Sequence, residues 1–189
     1  MRKLVYLVAS SIDGFIAGPD GGDPTSFWPI APDYVQSLVD ELPETLPGPA
    51  REAMGVTAEG THFDTVVEGR NSYELGVKAG VHDVYPHLRH VVFSRTLGAV
   101  DGIEVVDTDP VAKIRELKQE NGKDIWLVGG ATLAGVLHGE IDRLVVKLGP
   151  LTLGGGIPFA TRDFEITMWT LTHHHVIESG VVVLTYDRA

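Results

Sequence analysis

Trp126-Leu127-Val128-Gly129-Gly130-Ala131-Thr132-Leu133 runs from an apolar, strand-like stretch through two glycines into a helix-like one, and the reading of this junction decides the fold. A helix N-terminus carries unpaired N–H groups and partial positive charge. Two glycines without side chains let a diphosphate approach the backbone and meet the N–H groups of Ala131, Thr132 and Leu133. A tight strand-to-helix turn accounts for the same residues, so this junction alone does not choose. Two further junctions repeat the pattern. In Val66-Val67-Glu68-Gly69-Arg70-Asn71-Ser72-Tyr73-Glu74 a strand again ends in glycine, and Arg70 adds full charge. Surface pairing of Arg70 with Glu74 or Glu68 is the plainer account of that arginine. In Val91-Val92-Phe93-Ser94-Arg95-Thr96 two hydroxyls and a guanidinium suit a phosphomonoester, though solvated loop residues would look the same. Taken in chain order, each at a strand's C-terminal end, the three describe a dinucleotide lying across the edge of a sheet. The first strand runs into Ser10-Ser11-Ile12-Asp13-Gly14 and not into G-x-G-x-x-G, so the design is not the usual Rossmann one.

Outward from these junctions, short apolar runs alternate with helical periodicity, the pattern of an α/β sheet. Strands are predicted over 3–9, 64–68, 90–93, 103–106, 124–128, 144–148, 164–172 and 181–186. Val35, Leu38, Val39 and Leu42 fall on one helical face, and Pro43 stops the run. Asp109-Pro110 reads as an N-cap with proline at the first helical position, ahead of a helix over 111–118. Shorter helices are predicted over 131–138 and 71–75, the latter opening with a capping-box-like Asn71-x-x-Glu74. The stretch 43–60, with its prolines, reads as a surface connection holding one short helix near Ala50 to Met54. In the last 50 or so residues turns at Gly154-Gly155-Gly156 and Glu178-Ser179-Gly180 replace helices. The expected fold class is therefore α/β, with about eight mostly parallel strands, an antiparallel C-terminal hairpin and about four flanking helices.

At 189 residues one domain spanning 1–189 is the expectation. The chain has no cysteine, which removes disulfide scaffolds, thiolate chemistry and Cys-based zinc sites. A net charge of −11 gives no support for nucleic-acid binding. The apolar run after Arg2-Lys3 ends at Ala9, shorter than a signal-peptide core, and no later stretch approaches a membrane span. A cytoplasmic protein with no membrane partner is the expectation, its first strand beginning almost at Met1.

With these blocks in view, the sequence resembles the dihydrofolate reductase-like family, and within it the branch holding the bacterial riboflavin-biosynthesis reductase domain. The resemblance rests on Ser11-Ile12-Asp13-Gly14-Phe15-Ile16-Ala17, on Gly69 to Glu74, on Phe93 to Thr96, and above all on Leu127 to Phe159, LVGGATLAGVLHGEIDRLVVKLGPLTLGGGIPF. It implies an NADPH site. Gly129, Gly130, Ala131, Thr132 and Leu133 would meet the diphosphate from one side, and Gly69, Arg70, Asn71 and Ser72 from the other. Ser94 and Arg95 would hold the 2′-phosphate, favouring NADPH over NADH. Ala9 and Ile16 would border the nicotinamide, and the loop from Ser10 to Trp28 would close over it. A homodimer and a small heterocyclic substrate are also implied. The activity expected is like that of 5-amino-6-(5-phosphoribosylamino)uracil reductase, with a pterin or dihydrofolate-type reductase and a catalytically silent NADP-binding module as alternatives.

Reduction also needs a proton for the acceptor. Trp28 and Asp33 keep the Trp-x-x-x-x-Asp spacing of dihydrofolate reductases, making Trp28 a substrate-side candidate and Asp33 the candidate proton donor. As a residue, Asp33 after Pro32 suits the first turn of a helix better. The position where dihydrofolate reductases grip the folate carboxylate with arginine holds Leu88 here, with Arg89 one residue away and on the opposite face if the segment is extended. The riboflavin branch's Arg-x-x-x-Asp-Ala run is likewise replaced by Glu59-Gly60-Thr61-His62-Phe63-Asp64-Thr65. His173-His174-His175 reads as a solvated strand face and not a metal site. His62, His82, His87, His90 and His138 carry no assignment, and Trp126 and Trp169 read as packing residues.

Overall fold

Strand alternation sorts the apolar residues to two faces, and helices cover both. In the computed structural model, which describes residues 1–189, the chain runs β1 (Leu4–Ser10), β2 (Phe15–Ala17), α1 (Pro32–Glu41), α2 (Gly48–Met54), β3 (Phe63–Gly69), α3 (Arg70–Lys78), β4 (Arg89–Phe93) and β5 (Ile103–Val106). It continues through α4 (Pro110–Gln119), β6 (Asp124–Gly129), α5 (Ala131–Val136), β7 (Arg143–Leu148), β8 (Ile157–Pro158), β9 (Trp169–Val176) and β10 (Val182–Arg188). Eight strands form one sheet in the order β5-β4-β3-β6-β1-β7-β10-β9, parallel as far as β7, with β10 antiparallel to both its neighbours. This is the expected mostly parallel sheet with an antiparallel C-terminal hairpin, and the dihydrofolate reductase-like fold.

Val5, Leu7, Val66 and Trp126 share one face, here the first, where they form a buried cluster with Phe63. Leu4, Tyr6, Val67, Val91, Ile125 and Leu127 point to the second face, against Ile114 and Leu117 of α4 and Leu133, Ala134 and Leu137 at α5. Each fully buried side chain of this kind is worth roughly 1.5–3 kcal/mol against exposure. Helix α1 closes the first face through Tyr34 and Leu38, which pack with Trp28, Ile177, Val181 and Val183. Helix α3 covers the same face further along, through Tyr73 and Val77 against Val92 and Ile103. Helix α4 starts as predicted, with the Asp109 carboxylate accepting the Val111 N–H at 3.0 Å and Pro110 in the first turn.

Four expectations need correction. The ninth strand lies at Trp169–Val176 and not over 164–172, because Phe164, Ile166 and Met168 alternate like a strand yet are 94%, 75% and 69% exposed. Gly154 to Gly156 does bend the chain between strands, but it leads from β7 to the short β8, which pairs with β2 in a separate two-stranded sheet, and not to the next long strand of the main sheet. The Asn71–Glu74 capping box does not form, since Gly69 is the N-cap residue and Glu74 is taken by Arg70. Nor is the stretch from Pro43 wholly a surface one. Glu44 is completely buried, its Oε1 accepting the N–H groups of His62 (2.7 Å) and Phe63 (3.0 Å) at the entry to β3, although α2 does lie where a short helix was expected.

Candidate functional site

Strands β3 and β6 are neighbours, and the chain leaves them in opposite senses. From β3 it passes over the first face through α3 to β4, and from β6 over the second face through α5 to β7. Such a divergence opens a crevice at the strands' carboxyl ends, the usual ligand position of an open α/β sheet. Gly69 and Gly129-Gly130 are the residues that line it. A Cβ added to Gly69 would stand 3.8 Å from the Gly129 carbonyl oxygen and 3.9 Å from the Gly130 nitrogen. Gly129 has φ +135°, a conformation L side chains rarely adopt, and its peptide bond to Gly130 is cis. The first two junctions therefore meet.

The third joins them through Arg70. Its Nε donates to the Glu74 carboxylate at 2.6 Å, and its Nη1 donates to the Thr96 hydroxyl, tying the start of α3 to the loop after β4. The plain reading of Arg70 as a partner of Glu74 is thus correct, and the guanidinium still stands at the crevice, 39% exposed. Ser94, 8% exposed, accepts the N–H of Leu97 at 3.0 Å and of Thr96 at 3.3 Å, which fixes the loop and leaves its hydroxyl proton free. Arg95 beside it is exposed. Asn71 and Thr132 are exposed and Ser72 is half-buried, whereas Ala131 and Leu133 face the core and offer only backbone.

At the end of β1, Ser11 accepts the Phe15 N–H on its hydroxyl (3.0 Å) and donates its own N–H to the Phe15 carbonyl (2.8 Å), folding β2 back. Ile16 on β2 packs against the second-face core, and Ala9 lies level with Lys147 of β7. Asp13 fastens this turn to the triple glycine. It accepts the Ser11 hydroxyl at 2.6 Å, the Gly154 N–H at 2.7 Å and the Leu153 N–H at 3.1 Å, and these bonds, Ser11's first, hold its pKa down at about 2.

Asp33 sits in the first turn of α1. Its carboxylate accepts the Ser179 N–H at 2.7 Å and the Tyr34 N–H at 2.9 Å, and these, the Ser179 bond foremost, lower its pKa below the ordinary carboxylate value. That is the helix-start role, with a tie to the turn between β9 and β10 added, and it leaves an ionised group with no proton to give at neutral pH. Trp28 is half-buried and packs over Gly149, where an added Cβ would come within 2.7 Å of the indole Cη2. Its Nε1 is buried without a partner, as is the Ser179 hydroxyl. Arg89 points to solvent in ion pairs with Glu104 and Glu120, both at 2.7 Å. His173 and His175 share a face of the edge strand β9, as expected from alternation.

Sequence reasoning missed a buried ionic network under α3. His90, 1% exposed, meets Glu68 through Nε2 and Asp83 through Nδ1, each at 2.8 Å, with the rings of Tyr73 and Tyr85 edge-on at 6.2 and 5.9 Å. Burial pushes the imidazole pKa down, but the hydrogen bonds and charges of the two carboxylates outweigh it and the net shift is upward. Glu68 is the residue just before the Gly69-Arg70 turn, so the network anchors one wall of the crevice. No local pattern announces it: Glu68 and His90 meet because Val66 pairs with His90 in the parallel β3–β4 ladder, and Asp83 joins them from the connection between α3 and β4.

Comparison with known proteins agrees with this architecture. The chain is similar to two Bacillus subtilis (strain 168) proteins named as uncharacterized: YyaP, 25% identical over 98% of this chain and 94% of that one, and YwjB, 30% identical over 83% of this chain and 82% of that one. Among solved structures it is similar to one named "Putative riboflavin biosynthesis protein" from Shewanella sp. PV-4, with a TM-score of 0.69 and 22% identity, covering 100% of this chain and 99% of the other. The model of the RibD C-terminal domain family matches residues 2–183. The chain belongs to the RibD C-terminal domain family.

Proposed function

We propose that the protein is an NADPH-dependent reductase of a small heterocycle, of the kind represented by 5-amino-6-(5-phosphoribosylamino)uracil reductase. The observation that carries this reading is the meeting of Gly69 with Gly129-Gly130 at the crevice between β3 and β6, bridged by Arg70 to the Ser94-Arg95 loop. The crevice suits a dinucleotide on its own evidence. Neither Gly69 nor Gly129-Gly130 carries a side chain into the crevice, Arg70 begins the helix beside it, and the exposed Arg95 lies in the loop to which Arg70 is tied, both cations suited to phosphate charge. In the proposed arrangement Gly69, Arg70, Asn71 and Ser72 face the diphosphate from one side and Gly129 to Leu133 from the other. Ser94 and Arg95 hold the 2′-phosphate, and Ala9 and Ile16 border the nicotinamide. NADPH would supply the hydride, and the chain's own residues bind, orient and exclude water.

A dihydrofolate-type substrate is the less favoured one, because Arg89 is engaged by Glu104 and Glu120. The observation favouring the second reading, a catalytically silent NADP-binding module, is the engagement of Asp33. We also propose a homodimer, which the exposed edge strand β9 and the apolar residues ahead of it support. Isothermal titration with NADPH and NADH, followed by NADPH oxidation with the aminouracil and dihydrofolate substrates, tests the reading. Tight NADPH binding with turnover of the aminouracil is expected. Absence of NADPH binding at millimolar concentration would overturn both readings, and binding without turnover of any heterocycle would leave the silent module.

A further inference from the structure

Lys147 on β7 is level with Ala9 of β1 and with Val183 of β10. Alternation places it on the first face, the side that α1 covers, where Val183 packs with Tyr34, Trp28 and Leu38. Its ammonium stands 5.9 Å from the centroid of the Tyr34 ring. The side chain is half-buried and makes no ion pair, whereas Lys3, Lys113 and Lys118 each meet a carboxylate. The acid available on this part of α1, Asp33, gives its two oxygens to the N–H groups of Tyr34 and Ser179 instead. Lys123 is also half-buried without an ion pair, but its ammonium donates to the Gly60 carbonyl at 2.8 Å. In a chain with 26 acidic residues and a net charge of −11, Lys147 is thus a half-buried ammonium left with neither counter-charge nor hydrogen bond, beside the strand end proposed to border the nicotinamide. A partly desolvated cation is costly until something supplies the opposite charge.

We propose that Lys147 is a specificity-determining residue that meets an anionic oxygen of the substrate, the substrate being a planar heterocycle that carries this oxygen at its end nearest Ala9. The assignment rests on the reductase reading for its meaning, but the charge recognition is measurable without turnover. The ring of Tyr34 then serves as an aromatic support for the ammonium, and the substrate's oxygen completes the ion pair that no carboxylate of the chain provides.

The test is a calorimetric titration of orotate and of uracil, which differ by one carboxylate, into the protein with and without saturating NADP⁺. Wild type is expected to bind orotate about tenfold or more tightly than uracil, the effect of one charge-assisted contact. Lys147→Met should bring the two affinities together while leaving uracil affinity, NADP⁺ affinity and Tm unchanged, and Lys147→Arg should keep the preference. Equal binding of both ligands by wild type, or an undiminished preference in Lys147→Met, would overturn the proposal. Failure of NADP⁺ to bind, with the orotate preference present and lost on Lys147→Met, would remove the reductase reading and leave the Lys147 assignment standing.

Discussion

Arg70 and Arg95 illustrate how a residue's partners decide what it has left to offer. Arg70 spends one nitrogen on Glu74 and another on Thr96, while Arg95, next to the buried Ser94, makes no ion pair and projects from a loop fixed by the Ser94 hydroxyl. Arg95→Ala should therefore weaken NADPH about 10–100-fold, the worth of one or two hydrogen bonds to a charged group, and scarcely alter NADH. Equal losses for both nucleotides would show that Arg95 does not meet the 2′-phosphate. Asp33 is the contrasting case. Since its folded pKa is lowered by the Ser179 and Tyr34 N–H groups, its carboxylate stabilises the fold above the unfolded value near 3.9, and that contribution is lost as pH falls through the lower folded value. Asp33→Asn should lower Tm at pH 7 more than at pH 3. A variant that loses turnover with Tm unchanged would instead mark Asp33 as chemical. The residue types at these positions were legible in the sequence. What was not legible was which donors Asp33 would meet, because Ser179 lies 146 positions away and only the sheet order brings it close.

At the scale of elements, the β3–α3 junction can be tested by adding one methyl group. Gly69 has φ −84° and ψ 162°, which alanine adopts without strain, and an added Cβ meets only ordinary contacts of 3.6–3.9 Å. Gly69→Ala should keep or raise stability by up to about 1 kcal/mol through the unfolded chain. It should also weaken NADPH tenfold or more, because the methyl fills the crevice. Unchanged affinity would mean that the diphosphate lies elsewhere. Beneath the same turn, the Glu68–His90–Asp83 network makes a pH-dependent contribution. The pKa of His90 is raised on folding, so its stabilisation is complete below the unfolded value near 6.5 and is lost as pH rises through the higher folded value. Tm measured from pH 6 to 9 should fall more steeply for wild type than for His90→Gln, and parallel curves would contradict the network's charge. Elements of four or more residues were legible in the sequence apart from the placement of β9, the strands and α1 from their apolar spacing and α4 from its Asp109-Pro110 start. The two missed strands, β2 and β8, span three and two residues, too few for alternation to register. Phe164, Ile166 and Met168 misled in the other direction, since alternation reports a two-sided segment but not what covers its apolar side.

For the whole molecule, the sheet ends at β9, an eight-residue edge strand whose residues are mostly exposed and which carries no Lys, Glu or Pro to discourage pairing. With Phe164, Ile166 and Met168 exposed just before it, this end is where the proposed homodimer would bury its surface. Light scattering should give twice the 20.4 kDa chain mass, falling to one chain for an Ile166→Glu, Met168→Glu double variant. A wild-type monomer would contradict the dimer. The order of strands was not legible in the sequence, yet it determines the site: three junctions from distant parts of the chain converge because β4, β3 and β6 are neighbours and the chain diverges between β3 and β6. That convergence is tested most directly by titrating NADPH into the protein and following backbone amide resonances. The account predicts saturable shifts, at one nucleotide per chain, that appear together at Gly69 to Ser72, at Ser94-Arg95 and at Gly129 to Leu133. Shifts confined to one of these junctions, or absent from all three, would contradict it.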